Sequence, residues 1–185
     1  MYLPDHEIEA RLSDSSLVVE PYEPRLLQPA SLDVRLASTF RVFACGASRR
    51  TVELGRIPDD LTVEVDGSAG FTLAPGEFAL GSTLETVGIP PDLVAKFEGR
   101  STIGRLGLLT HVTAGYIDPG YQGQITLELR NVGPLDLVLT PGDPIGQLAF
   151  QLLTSPCRTP YGSAVLGSKY QGQRGPTAPR QGRPA

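Results

Sequence analysis

QITLELRN, at residues 124–131 of this 185-residue chain, alternates along its length. Ile125, Leu127 and Leu129 fall on one face and Gln124, Thr126, Glu128 and Arg130 on the other, because successive strand side chains point to opposite sides. Glu128 therefore points away from the apolar layer, toward whatever the neighbouring loops hold. Working outward, residues 31–36, 40–44, 61–65, 70–73, 77–84, 135–139 and 145–153 read as further short strands, with Val18-Val19 a shorter one. Gly, Pro, Asp and Ser separate them at roughly ten-residue intervals, the pattern of a sandwich or barrel. Gly (21) and Pro (17) are abundant and 40% of residues are hydrophobic, which suits many short strands joined by tight turns. Helix is expected only from residue 4 to an end near Ser13 to Ser16, with Asp5 and Glu7 in the first turn, and at 101–106. Residues 20–29 hold Pro21, Pro24 and Pro29 and are expected to be an extended connector. The fold class is mainly β with one or two short helices.

The length fits a single β domain at residues 1–160, containing a site core at 99–129. From residue 154 the composition shifts to Gly, Pro, Ser, Arg and Gln without apolar period, so this tail cannot build a core of its own. It carries Tyr161, Lys169, Tyr170, Gln173 and Arg174, the types expected of an arm, residues 161–185, that folds over a nucleotide. The last residues, 178–185, are expected to be disordered.

A net charge of −4 argues against a nucleic-acid binder, which normally shows a basic stripe. The only lysines are Lys96 and Lys169. No run approaches the ~20 apolar residues of a membrane span, and the first twelve residues carry Asp5, Glu7 and Glu9 rather than the apolar centre of a signal peptide. Cys45 and Cys157 are far apart and outside any C-x-x-C spacing, so neither a disulfide framework nor a zinc site is indicated, and a reduced cytoplasmic protein is expected.

The chemistry-bearing residues cluster just upstream of residues 124–131. In GRSTIGRLG (99–107), Arg100 and Arg105 surround Ser101 and Thr102, while Gly99 and Gly104 let backbone approach a ligand closely, which is how phosphate is gripped. A helix at 101–106 would turn its first amides toward that phosphate. In TAGYIDPGYQG (113–123), Asp118 precedes the turn-forming pair Pro119-Gly120. Each feature has a plainer reading. The arginines are ordinary solvated charges, Asp118 starts a turn, Glu128 pairs with an arginine, Gln147 faces solvent, and Asp33 and Arg35 make a structural salt bridge. No H-x-E accompanies P-C-x-x-C, which excludes zinc-dependent base deamination by ligand count. No H-E-x-x-H or G-x-S-x-G occurs either, leaving water activated by a carboxylate.

GRSTIGRLG, TAGYIDPGYQG, ITLEL (125–129), PGDPIGQL (141–148) and SKYQGQRG (168–175), with the weaker QPASLDVRL (28–36), resemble in this order the motifs of the dCTP deaminases, relatives of the trimeric dUTPases. The resemblance implies a homotrimer of a distorted, jelly-roll-like β-barrel or sandwich of the dUTPase type, with sites at subunit interfaces. It also implies dCTP, and dUTP, as substrate, and Mg²⁺ brought in on the triphosphate rather than held by a protein cage. By position, Glu128 would be the general base and acid for deamination. Ser101, Arg105 and the Ala114 carbonyl would hold the water and stabilise developing charge. Arg100, Ser101, Thr102, Ile103, Gly104 and Arg105, with Gln147, Tyr161, Lys169 and Gln173, would bind the triphosphate and close the site. Asp118 would meet the deoxyribose 3′-hydroxyl, and Thr126, Leu127 and Glu128 would read the base along their edge.

Plain dUTPases share three of these motifs but need no acid at position 128, because uracil has no amine to remove. Monofunctional deaminases, which release dUTP, often carry histidine and arginine where this chain has Gly115 and Tyr116. The present pair resembles bifunctional members that continue to dUMP and pyrophosphate, where Asp118 would also place the second water. Four outcomes stay open: a dUMP-forming deaminase, a dUTP-releasing deaminase, a dUTPase-only pyrophosphatase, and a non-catalytic nucleotide-binding or regulatory trimer that keeps the fold.

Overall fold

Side-chain alternation with a period of two recurs along the chain, and strand is its main regular structure. The computed structural model describes residues 1–44 and 50–181; Cys45 lies outside these, and Cys157 is a free thiol. Along the chain come helix α1 (Asp5–Ser13), β1 (Val18–Glu20), a 3-10 turn (Pro24–Leu26), β2 (Leu27–Gln28), β3 (Ser31–Arg35), β4 (Thr39–Phe43), β5 (Thr62–Asp66), β6 (Phe71–Leu73) and β7 (Phe78–Gly88). Then come β8 (Leu93–Gly99), helix α2 (Ser101–Gly104), β9 (Leu108–Leu109), β10 (Tyr116–Ile117), β11 (Gln122–Asn131), β12 (Leu137–Leu139) and β13 (Pro144–Leu152). No helix among the described residues is long and apolar enough to cross a membrane.

One antiparallel sheet runs β5-β4-β7-β11-β9, with β1 on the far end of β7, and a second runs β10-β8-β13-β3-β2. Strands β12 and β6 form a separate pair. The apolar faces of both sheets meet in one core, to which the first contributes Phe40, Leu127 and Leu129 and the second Leu32, Phe97, Leu148 and Phe150. Each such buried side chain contributes about 1.5–3 kcal/mol, against about 1 kcal/mol net for a ladder hydrogen bond. The apolar alternation thus selects the register, since a slip of one residue would turn Leu127 and Leu129 outward.

Strand β11 behaves as its pattern requires, alternating between buried and partly exposed positions. Its pairing with β7 shifts between Gln124 and Thr126. At that bulge the Ile125 amide donates to the Thr83 hydroxyl (2.9 Å), and the Gln124 side chain donates to the carbonyls of Thr83 (3.0 Å) and Leu84 (3.1 Å). A bulge bends a strand and re-aims the side chains beyond it. In β11 those side chains are Thr126 and Glu128.

Three expectations need correction. Residues 20–29 are not wholly extended: Pro24, with its fixed φ, starts a 3-10 turn before β2. Helix α2 is shorter than the expected 101–106, ending at Gly104. Strand β3, where Asp33 and Arg35 were expected to form a salt bridge with each other, is buried at all five positions. Its charges are paired, but not with each other. The Arg35 Nε donates to Glu85 (2.7 Å) and its guanidinium also reaches Glu23, whereas Asp33 pairs with Arg100 (3.3 Å).

The glycine of the PGDPIGQL motif has a packing reason. A Cβ on Gly146 would sit 2.1 Å from the Phe97 ring. Gly146→Ala is expected to displace that ring and cost about 1–3 kcal/mol, the range for an overpacked core. Thermal or urea unfolding checks this; a melting temperature equal to wild type would contradict it.

Candidate active site

The outer face of β11 opens into a cavity of about 420 Å³. Strand pairing puts its floor together. Glu128 lies opposite Leu80 and Arg130 opposite Phe78 in the β11–β7 ladder, and residues directly opposite share a face. Leu80 and Phe78 line the cavity with Glu128 and Thr126, and Phe43 joins them from β4. Apolar walls around few polar groups are the usual make-up of a small-molecule site.

Among the described residues, Glu128 is not paired with an arginine. Its Oε2 accepts the backbone amides of Val112 and Thr113, both at 3.0 Å. These two bonds fix the carboxylate in one orientation and leave Oε1 to work on a bound molecule. The β9 ladder covers only Arg130 and Asn131 on that side of β11, and the arm bonds to the backbone only at Gln122 and Gln124. Among the described residues no strand covers 125–129 there, so this backbone edge is open for recognition. The Leu127 side chain itself points into the core, 1% exposed, so it can contribute only through its backbone.

Asp118 is exposed at the cavity rim, just ahead of a tight turn in which the Tyr121 amide donates to the Asp118 carbonyl (3.1 Å). Gly120 completes this turn at φ +87°, and a Cβ there would also strike Pro160 at 2.4 Å, so both conformation and the close approach of the arm require glycine. Ala114 lines the same cavity.

The arm is laid along β11. The Gly172 amide donates to the Gln122 carbonyl (2.7 Å) and the Gln124 amide to the Gln173 carbonyl (3.0 Å), extending the sheet. The Gln173 side-chain amide donates to the Gln124 carbonyl (2.6 Å) and the Thr126 hydroxyl (3.1 Å), and the Thr177 amide donates to that same hydroxyl (3.1 Å). Tyr161 packs its ring 5.7 Å from that of Tyr121, and its hydroxyl accepts the Tyr170 amide (3.1 Å). Burial raises the Tyr121 phenol far above its ordinary pKa, so this hydroxyl serves as a donor, here to the Gln124 carbonyl (2.6 Å). Arg180 stacks over Tyr170 with its guanidinium 5.8 Å from the ring centre, and Gln181 bonds to residues 55 and 57. Residues 182–185 lie outside the described residues.

One chain brings together Ala114, Asp118, Thr126, Glu128, Tyr161 and Gln173. Lys169 sits in an adjoining cavity of about 680 Å³ that shares Asp118, Tyr161 and Tyr170 with the first. The remaining residues do not line either cavity. Ser101, Thr102, Gly104 and Arg105 lie on or just after α2 at the surface, and Ile103 packs beneath it against the core. Arg100 and Gln147 lie at the second sheet, where Gln147 accepts the Ser31 hydroxyl (2.7 Å) instead of facing solvent. The ionisable side chains of the main cavity are Glu128, Asp118 and tyrosines.

Residue types alone did not point to Phe43, Phe78 and Tyr121 in the lining, nor to the Val112 and Thr113 amides. The parity of Phe78 and Leu80 was visible in the sequence; the register that sets them opposite Arg130 and Glu128 was not.

Comparison with known proteins bears on what this site serves. The family model described as dCTP deaminase-like matches residues 2–153. A protein of Mycobacterium sp. (strain KMS) named "dCTP deaminase, dUMP-forming" is 54% identical over 183 residues, covering 97% of this chain and 95% of its own. One of the same name from Tropheryma whipplei (strain Twist) is 53% identical, covering 96% and 91%. Among solved structures, the 2′-deoxycytidine 5′-triphosphate deaminase of Agrobacterium tumefaciens superposes with a TM-score of 0.65 at 29% identity over 82% of this chain. The present chain spans about half, 48%, of that longer one. With a family model over most of its length and relatives of more than half identity, the chain belongs to the dCTP deaminase family.

Proposed function

We propose that the chain deaminates dCTP and carries the product on to dUMP and pyrophosphate. The observation that carries this reading is Glu128, anchored by two backbone amides at the floor of an apolar cavity with an open strand edge beside it. Water held near Oε1 gives a proton to Glu128 as its oxygen attacks the amine-bearing carbon of cytosine. Glu128 passes this proton to the ring nitrogen N3, then takes the proton of the new hydroxyl and gives it to the amine; the carbon–nitrogen bond breaks, and ammonia leaves behind a uracil carbonyl. In the second step another water attacks the α-phosphate. The bond to the bridging oxygen breaks, and dUMP and pyrophosphate separate; Asp118 at the rim places that water. The names of the relatives support the dUMP-forming outcome. So does Gly115, where a Cβ would meet the Phe97 carbonyl at 2.9 Å and the His111 ring at 3.1 Å, leaving no room for the histidine of a dUTP-releasing deaminase.

Ser101 and Arg105 do not line the Glu128 cavity of their own chain, which favours a trimer in which a neighbouring copy supplies α2. Exposed Leu106, Leu109, Val112 and Val132 beside α2 fit such a contact. Light scattering is expected to give three times the chain mass; a monomer fully active on dCTP would contradict this.

Mg²⁺ fits the site as a nucleotide-borne ion. Among the described residues no three His, Cys, Asp or Glu side chains converge, whereas triphosphate oxygens and water are the donors this hard ion prefers. When bound, it supplies charge neutralisation on the phosphate oxygens. A cytoplasmic setting suits the free thiol of Cys157.

A dUTPase-only reading would leave Glu128 without a task. Offered dCTP and dUTP in separate reactions, the protein is expected to release ammonia from dCTP. Pyrophosphate from dUTP with no ammonia from dCTP would establish the dUTPase instead.

A further inference from the structure

Asp33 is a carboxylate 6% exposed on an internal strand. Its ion pair runs to the Arg100 guanidinium, Nη2 to Oδ2 at 3.3 Å, and Arg100 also donates from Nη1 to the Pro144 carbonyl at 3.3 Å. Burial raises the Asp33 carboxyl from its ordinary range while Arg100 pulls it back down. Taking a carboxylate out of water is costly, and a buried ion pair is often no more stabilising than an apolar pair of the same volume. Fold stability alone therefore gives a weak reason for Asp33.

Its surroundings give a stronger one. Two residues earlier on the same face of β3, Ser31 is 8% exposed and donates its hydroxyl to Gln147 Oε1 at 2.7 Å. Gln147 lies directly opposite Asp33 in the β13–β3 ladder and opposite Glu98 in the β13–β8 ladder, beside the start of the Arg100 loop. Its amide donates to the Gly99 carbonyl at 3.4 Å. One face of β3 thus holds both Arg100 and Gln147, the two side chains outside α2 and the arm to which the family resemblance gives the triphosphate. Among the described residues, Arg100 is held through Nη1 and Nη2 by Pro144 and Asp33. Its side chain is 36% exposed, and a guanidinium has five N–H donors, so several stay available on the open side.

We propose that Asp33, with Ser31 beside it, is a positioning residue of the nucleotide site, fixing the Arg100 guanidinium so that its free N–H groups meet phosphate. A long side chain ordered before the ligand arrives does not have to be ordered by it, so pre-organisation appears as affinity. Asp33 touches neither the nucleotide nor the water; it acts through Arg100. The inference rests on the dCTP-deaminase reading.

The test is steady-state deamination of dCTP by wild type, Asp33→Asn, Arg100→Gln and the double variant, with melting temperatures alongside. Asp33→Asn is expected to raise KM for dCTP about tenfold, the equivalent of one lost oriented contact, while kcat stays within about twofold. Arg100→Gln is expected to raise KM at least as much, and the double variant no further, because both changes remove one interaction. A wild-type KM in folded Asp33→Asn, or effects that multiply in the double variant, would overturn the proposal. Should Asp33→Asn not fold, Ser31→Ala decides it through Gln147: a KM raised about threefold supports it and an unchanged KM overturns it. A wild-type protein that releases no ammonia from dCTP overturns the functional reading itself, and this inference with it.

Discussion

Glu128→Gln is expected to lower ammonia release from dCTP by about 10²–10⁴-fold, the usual contribution of a positioned general acid and base. The change is nearly isosteric. A glutamine Oε1 can accept the Val112 and Thr113 amides as the carboxylate Oε2 does at 3.0 Å, so the loop at 112–113 keeps its anchor. The amide cannot take a proton from water. Binding of dCTP, measured by calorimetry, is therefore expected to persist while turnover is lost, separating a chemical defect from collapse of the cavity. Ammonia release near the wild-type rate would remove Glu128 from the mechanism.

Deletion of residues 168–185 is expected to reduce kcat/KM for dCTP by about a hundredfold or more, since small misplacements of a closing element already cost that much. The arm is more than a cover. Through Gly172 and Gln173 it adds backbone hydrogen bonds to β11, and through Gln173 and Thr177 it holds the Thr126 hydroxyl beside Glu128. Its loss would remove Lys169, open the cavity to water and release Thr126. The core does not depend on it: the buried apolar cluster lies within residues 3–150. The melting temperature of the truncated protein is accordingly expected to stay within a few degrees of wild type, about 1 kcal/mol in a domain of this size. Full activity after truncation would contradict the placement of the arm in the site.

Local chemistry made much of this legible in advance. The alternation at 124–131 gave Glu128 its face, the acids at Asp5 and Glu7 marked α1, and Asp-Pro-Gly marked the turn at 118–120. What stayed hidden was long-range. No feature of Phe43 or Leu80 alone says that it will floor a cavity beneath Glu128; the register of β4, β7 and β11 decides it. The anchor of Glu128 is made by backbone amides, which every non-proline residue carries, so side-chain type holds no trace of it. Asp33 and Arg35 looked like a local pair because they share a face. Each instead found a partner brought in by folding, Arg100 for one and Glu85 for the other. The GRSTIGRLG loop and Glu128 sit close in sequence yet line no common cavity in one chain, a separation that motif spacing does not reveal.

The most direct measurement of the central claim is to incubate the purified protein with dCTP and Mg²⁺, assay ammonia, and separate the nucleotides by ion exchange over time. Ammonia, dUMP and pyrophosphate rising together, with little free dUTP, is the predicted result. Accumulation of dUTP in step with ammonia would contradict the dUMP-forming reading, and no ammonia at all would contradict deamination.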